Sequence, residues 1–187
     1  LYADRRPRYG VYAPVACPNR VAAFARDPDS ARAVWSSEEG YPGNPVYREF
    51  YRDIGFDLPL EDLKSYLMEA GYRVNTGIKY FAITAADGEK KLYNRKAALK
   101  KAEEHAEHFV RARLRQAELL RPHMDRPPLI VCPYDAELFG HWWFEGPEWI
   151  EATLRRLARV SEKLRMVTAS EYLDAHPEQQ MTQPCLS

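Results

Sequence analysis

Cysteine is scarce: Cys17, Cys132 and Cys185 are the three in 187 residues. They lie far apart and show no paired metal-ligand spacing. That argues against a disulfide framework and for a reducing, cytoplasmic setting. Net charge is absent too, since 27 Lys plus Arg balance 27 Asp plus Glu. No global field therefore draws the chain to nucleic acid or to an anionic membrane. No apolar run approaches the ~20 residues that a membrane-spanning helix requires, and no secretory signal is visible. Internal repeats and low-complexity segments are missing as well. What is there is 45% apolar, enough for a globular domain with its own core. The chain opens at Leu1 rather than Met, on Arg5, Arg6, Pro7 and Arg8 with no helix start, and is expected to be a piece of a longer protein.

The pattern of apolar residues predicts alternating strands and helices. Residues 11–16 and 21–25 are short apolar runs, read as buried extended segments. Asp27-Pro28-Asp29-Ser30 caps a helix that includes Ala31, Val34 and Trp35. Residues 36–45 are loop by composition, with short helices expected at 46–53 and 60–69, a strand at 78–84 and a turn at Asp87-Gly88. The clearest helix spans 95–121, where Leu99, Ala102, Ala106, Phe109, Val110, Leu114, Ala117 and Leu120 recur at helical spacing and Pro122 ends it. Leu129-Ile130-Val131-Cys132 is continuously apolar, as a buried parallel strand is. A helix over 147–160, with Ile150, Leu154, Leu157 and Ala158 on one side, a strand at 165–168 and a helix at 169–175 follow. This order predicts an α/β domain over 1–178 and a loose polar tail over 179–187.

The residues richest in chemistry follow the run at 129–132: Tyr134-Asp135-Ala136-Glu137-Leu138-Phe139-Gly140-His141-Trp142-Trp143-Phe144-Glu145-Gly146-Pro147. Acid, imidazole and indole groups gather just past a strand end, where parallel α/β folds place their sites. Aromatic neighbours lower local polarity, raise a carboxyl pKa as a general acid needs, and offer flat surfaces to sugar rings. The alternative is a buried aromatic cluster with a hydrogen-bonded Asp135. Glu137, two residues on, faces the same way if the strand continues, and is the rival acid.

The stretch Asp135 to Pro147 resembles the fourth motif of glycoside hydrolase family 57 in the form its 1,4-alpha-glucan branching enzymes have. Phe24-Ala25-Arg26-Asp27, Val34-Trp35-Ser36, Glu39-Gly40-Tyr41-Pro42-Gly43-Asn44-Pro45 and Tyr47-Arg48-Glu49-Phe50-Tyr51-Arg52-Asp53 are similar to the same type. The resemblance runs from Pro7 to about Leu173. It implies the C-terminal part of an incomplete (β/α)7 barrel of the glycoside hydrolase/deacetylase type, with long flanking helices. It implies retaining transfer of an α-1,4-glucan chain, such as amylose or glycogen, to a 6-hydroxyl, forming α-1,6 branches. Asp135 is then the acid/base, acting with a Glu nucleophile in a missing N-terminal half, and no cofactor or metal is called for. No Trp-x-Pro-Glu or His-Gln-Pro stretch occurs here, so the chain alone is expected to be inactive. Two other outcomes stay open: a 4-α-glucanotransferase or amylolytic hydrolase of the same family, and a non-catalytic glucan-binding remnant.

Carried over residue by residue, the resemblance makes Arg26 a substrate contact, Gly43 a point of close backbone approach and Trp35 a wall of the cleft. His141 and Trp142 line the cleft beside Asp135. The plain readings are a surface arginine, a turn glycine and a core tryptophan, and Trp143 fits a core equally well. Glu38, Glu39 and Glu145 read as solvated loop acids, and Lys96, Lys100 and Lys101 as a solvated helix face. His105 and His108, three apart with Glu104 alongside, have a spacing that can bind a metal. They lack the zinc-protease pattern, and a packing pair on the helix is the simpler reading.

Overall fold

The computed structural model describes residues 6–36, 39–66, 72–84 and 90–183. The expected turn at Asp87-Gly88, and Glu38 and Cys185, lie outside them. Three short strands form one sheet: β1 (Val15–Ala16) pairs antiparallel with β2 (Ala22–Ala23) and parallel with β3 (Gln180–Met181). Helix α1 spans Pro28–Trp35, α2 Ile54–Asp57, α3 Leu60–Leu63, α4 Arg95–Leu120, α5 Gly146–Arg159 and α6 Ala169–Ala175. Among the described residues no helix is long and apolar enough to cross a membrane.

The helices begin where side chains supply the first missing hydrogen bonds. Asp27 accepts from Ser30 N at the head of α1, and Asn94 from Ala97 N at the head of α4. Thr168 and Glu171 form a reciprocal capping box on α6. Two expected helices fall short. Residues 46–53 are irregular, with one isolated bridge from Arg48 to Ala82, and the helix expected over 60–69 is only the one-turn α3 before the described residues stop. The first segment exchanges backbone bonds with distant chain instead, as Glu49 N to Phe81 O and Ile83 N to Tyr47 O do.

The expected strands at 78–84, 129–132 and 165–168 are extended but form no ladder among the described residues. Residues 129–132 make two tertiary bonds: Leu129 N to Tyr12 O at 2.8 Å and Asp27 N to Val131 O at 2.9 Å. The tail expected to be loose joins the sheet through β3, and Thr182 N donates to Ala16 O.

Helices α4 and α5 pack on each other and on an aromatic cluster. Ala98, Ala102 and Ala106 repeat every fourth residue on α4 and are buried, which brings neighbouring groups close to the helix axis. Trp149 of α5 meets Phe109 edge-on at 5.2 Å and stacks on Phe139 at 5.9 Å. Of the expected apolar sides, Ala102, Ala106 and Phe109 of α4 lie in this core and Ile150 of α5 packs against it. Leu114 and Ala117 of α4 and Leu154 and Leu157 of α5, farther along the same sides, border an open groove of about 1240 Å³ that Phe109 and Trp149 also reach. Leu129 and Val131 line its floor.

Candidate active site

Asp135 follows the extended segment 129–134 and caps a 3-10 turn over Ala136–Leu138, where its carbonyl accepts from Leu138 N at 3.1 Å. Its side chain is exposed and, among the described residues, makes no hydrogen bond or ion pair. The apolar enclosure expected around the carboxyl is therefore not formed by the described residues. The turn also overturns the strand argument for Glu137, since alternation to one face applies only to extended chain. Glu137 is exposed, and its carbonyl accepts from Trp142 N at 3.4 Å.

Two contacts hold the Asp135 segment against the start of α1: Asp27 N on Val131 O, and the Tyr134 hydroxyl donating to Ser30 O at 3.0 Å. Arg26, immediately before Asp27, is exposed beside this seam. Asp27 is buried, and its carboxylate accepts from Ser30 N at 2.7 Å, Gln116 Nε2 at 2.6 Å and Arg113 at 3.4 Å. A residue read from sequence as a helix cap is thus also the link between α1 and α4.

Trp35 ends α1 and is 41% exposed, which sets aside the core reading for it. Gly43 closes a 3-10 turn over Tyr41–Gly43 and is exposed. Among the described glycines, φ is positive at Gly10, Gly77 and Gly140 and not at Gly43. Backbone conformation thus gives no reason for glycine at 43.

His141 and Trp142 are exposed, and both lean on a ring not singled out from the sequence, Phe50. The Phe50 centroid lies 4.4 Å from Trp142 and 5.3 Å from His141. Tyr51, 81% exposed, meets Phe50 edge-on at 5.2 Å, and Lys79 Nζ lies 5.4 Å above the same ring. Asp53 fixes this platform by accepting from Gly55 N, Thr76 N, Thr76 Oγ1 and Gly77 N at 2.8–2.9 Å. Burial pushes the Asp53 carboxyl up, but these bonds outweigh it and hold it below the usual carboxylate range. Residues 47–53 do not alternate, and no local signal pairs Phe50 with His141 or Trp142.

Glycines shape the rest of the motif. Gly140 has φ +98°, which turns the chain so that its N–H donates to Trp143 O at 2.8 Å. At Gly146 a Cβ would stand 2.7 Å from Phe139 Cα. Trp143 is core, and so is Glu145, which is 1% exposed rather than solvated. It sits at the head of α5 where the helix dipole favours a carboxylate, and its Oε1 accepts from Arg48 N at 3.2 Å. The Arg48 guanidinium lies 3.5 Å above the Phe144 ring; burial lowers its pKa, and Glu145 opposes that shift.

His105 and His108 are engaged by tyrosines. Tyr47 Oη lies 2.8 Å from His105 Nδ1 and Tyr41 Oη 2.7 Å from His108 Nδ1. Among the described residues no group of three or more His, Cys, Asp or Glu side chains is placed to hold a metal.

No protein-family model matches the chain. It is 38% identical over 164 residues to a 1,4-alpha-glucan branching enzyme of Thermococcus kodakarensis, covering 84% of this chain and 21% of that protein. A probable 1,4-alpha-glucan branching enzyme of Mycobacterium tuberculosis is 31% identical over 140 residues, 73% of this chain and 23% of its own length. Among solved structures, the alpha-amylase AmyC from Thermotoga maritima superposes with a TM-score of 0.87 at 48% identity, over 98% of this chain and 36% of that one. A family 57 branching enzyme from Thermococcus kodakaraensis, solved with glucose, gives 0.76 at 32% identity, over 93% of this chain and 29% of that one. The chain thus spans between a fifth and a quarter of the curated relatives it matches. Its homologues are glycoside hydrolase family 57 enzymes, 1,4-alpha-glucan branching enzymes among them, and its mixed α/β fold is theirs.

Proposed function

We propose that this chain is the acid-bearing part of a family 57 1,4-alpha-glucan branching enzyme. Asp135 protonates the leaving glucosidic oxygen and later takes the proton of the acceptor 6-hydroxyl. The attacking carboxylate is a Glu in the remainder of the domain, held ~5 Å from Asp135 as retention requires. The single observation that carries this reading is an unpaired, exposed Asp135 in the same motif loop as exposed His141 and Trp142, whose rings meet half-buried Phe50. Arg26 supplies a fork of donors to sugar oxygens, Trp35 presents its ring, and Gly43 leaves room for a sugar against backbone. Glycine at a position whose φ any residue adopts supports that last role.

The fold proposed for the whole domain is the incomplete (β/α)7 barrel, of which this chain, over 1–178, supplies the C-terminal part. The open groove between α4 and α5, floored by Leu129 and Val131, supports this, because apolar faces of that size are covered in a finished domain. A reducing, cytoplasmic setting and a role in glycogen synthesis belong to the same reading. The free thiols of Cys17 and Cys132 agree with the first.

The test uses the whole polypeptide. Asp135→Ala should abolish transfer to amylose, with α-1,6 linkages scored by debranching of the product; near wild-type branching would remove Asp135 from the acid/base role. The 48% identity to a protein described as an alpha-amylase favours a second reading, hydrolysis of α-1,4 bonds. Reducing ends released without new α-1,6 linkages would establish it.

A further inference from the structure

Resting on that reading, we infer that His105 and His108 are positioning residues which fasten both ends of the Gly43 turn to helix α4 through Tyr47 and Tyr41. Ile83 N donates to Tyr47 O at 2.8 Å at the far end, and the other backbone bonds of the turn are local. Gly43 N donates to Gly40 O, Asn44 N to Tyr41 O and Tyr47 N to Asn44 O, each reaching back three residues. Such bonds set the shape of the turn but not its height above the rest of the protein. The side chains of Tyr41 and Tyr47 supply that height. They bracket Pro42 to Val46, both are buried, and each hydroxyl ends on one imidazole. Their partners are three apart on α4, so they stand on the same face one turn from each other, about 4.5 Å along the axis. The Tyr41 ring also stacks on His105 at 4.6 Å between centroids. These five residues of loop are thereby pinned at two points onto α4, the longest helix among the described residues.

The chemistry keeps the His105 fastening closed near neutrality. A buried phenol needs a partner, and a neutral imidazole Nδ1 accepts from it. Burial pushes the Tyr41 phenol up to about 12 and Tyr47 further still, so both keep their protons. Burial, with Lys101 and His108, pushes His105 down to about 4, which leaves its Nδ1 lone pair free to accept. Both phenols lie at distances normal for a hydrogen bond, so a turn that contacts a sugar through Gly43 has little freedom to rise or fall. Misplacing a substrate-positioning segment by about an ångström costs on the order of a hundredfold in rate.

The test is the double variant Tyr41→Phe with Tyr47→Phe in the whole polypeptide, which keeps the rings and removes both hydroxyls. Amide exchange of residues 40–47 should quicken about tenfold while that of α4 stays as it was, and KM for amylose should rise about tenfold with kcat within twofold, an order-of-magnitude effect of a loosened turn. His105→Asn, whose amide occupies the Nδ1 position, should retain wild-type KM, whereas His105→Leu should not. Unchanged exchange in the double variant would overturn the fastening. Faster exchange with unchanged KM would overturn its role in substrate placement. A wild-type polypeptide without action on any α-glucan would instead overturn the proposed function, and the exchange measurement would still decide the fastening.

Discussion

The two faces of the α4–α5 pair differ in what lies against them. One is closed by the motif loop: Leu138, Phe139, Trp143 and Trp149 interleave with the alanines of α4. The other, with Leu114, Ile150, Leu154 and Leu157, borders the open groove. Both faces are apolar in sequence, yet only one is a core. The difference agrees with the proposal that this chain is part of a larger domain, and the closed face is the one packed against the motif loop.

Substitutions on the two faces should separate by size. Trp149→Ala on the closed face removes a fully packed indole, and chemical unfolding of the whole polypeptide should show a loss of about 3–5 kcal/mol; a loss below about 1 would deny that this face is a core. Gly146→Ala forces a Cβ against Phe139 and should cost about 1–3 kcal/mol by the same measurement. A smaller effect belongs to His105, whose lowered pKa makes folding disfavour its proton. Stability from this group is complete above the unfolded value of about 6.5 and declines as pH falls toward about 4. Lys101, Glu104 and His108 from α4, and the Tyr41 ring and Tyr47 hydroxyl from the loop, surround it. The fall in melting temperature between those two pH values should be shallower in His105→Asn than in wild type. The smallest effect is expected for Leu154→Ser in the isolated chain, within about 0.5 kcal/mol, because Leu154 is already half-exposed there. The same change in the whole polypeptide should cost more, and equal costs would mean that nothing covers the groove.

Much of the helical structure was legible. Helices expected over 95–121, 147–160 and 169–175 are found at Arg95–Leu120, Gly146–Arg159 and Ala169–Ala175. Their caps, periodicity and terminating residues act within a few positions of each other, so local sequence carries them. The candidate site was legible as a set of residues and not as a place. Trp142 and His141 are in the motif, but Phe50, which joins them, comes from 91 positions before His141. Glu145 reads as a loop acid because its partner, the backbone of Arg48, is 97 residues away.

The sequence by itself determined where the long helices begin and end, the identity of Asp135 and its flanking aromatics, and the kinship with family 57 enzymes. Those follow from spacing, capping chemistry and residue type, all of which are local. Only the tertiary structure decided which apolar face became core, that His105 and His108 serve buried tyrosines, and that residues 46–53 are drawn out of a helix by bonds to 78–82. Burial and pairing depend on groups brought from far along the chain, and no local pattern names the partner.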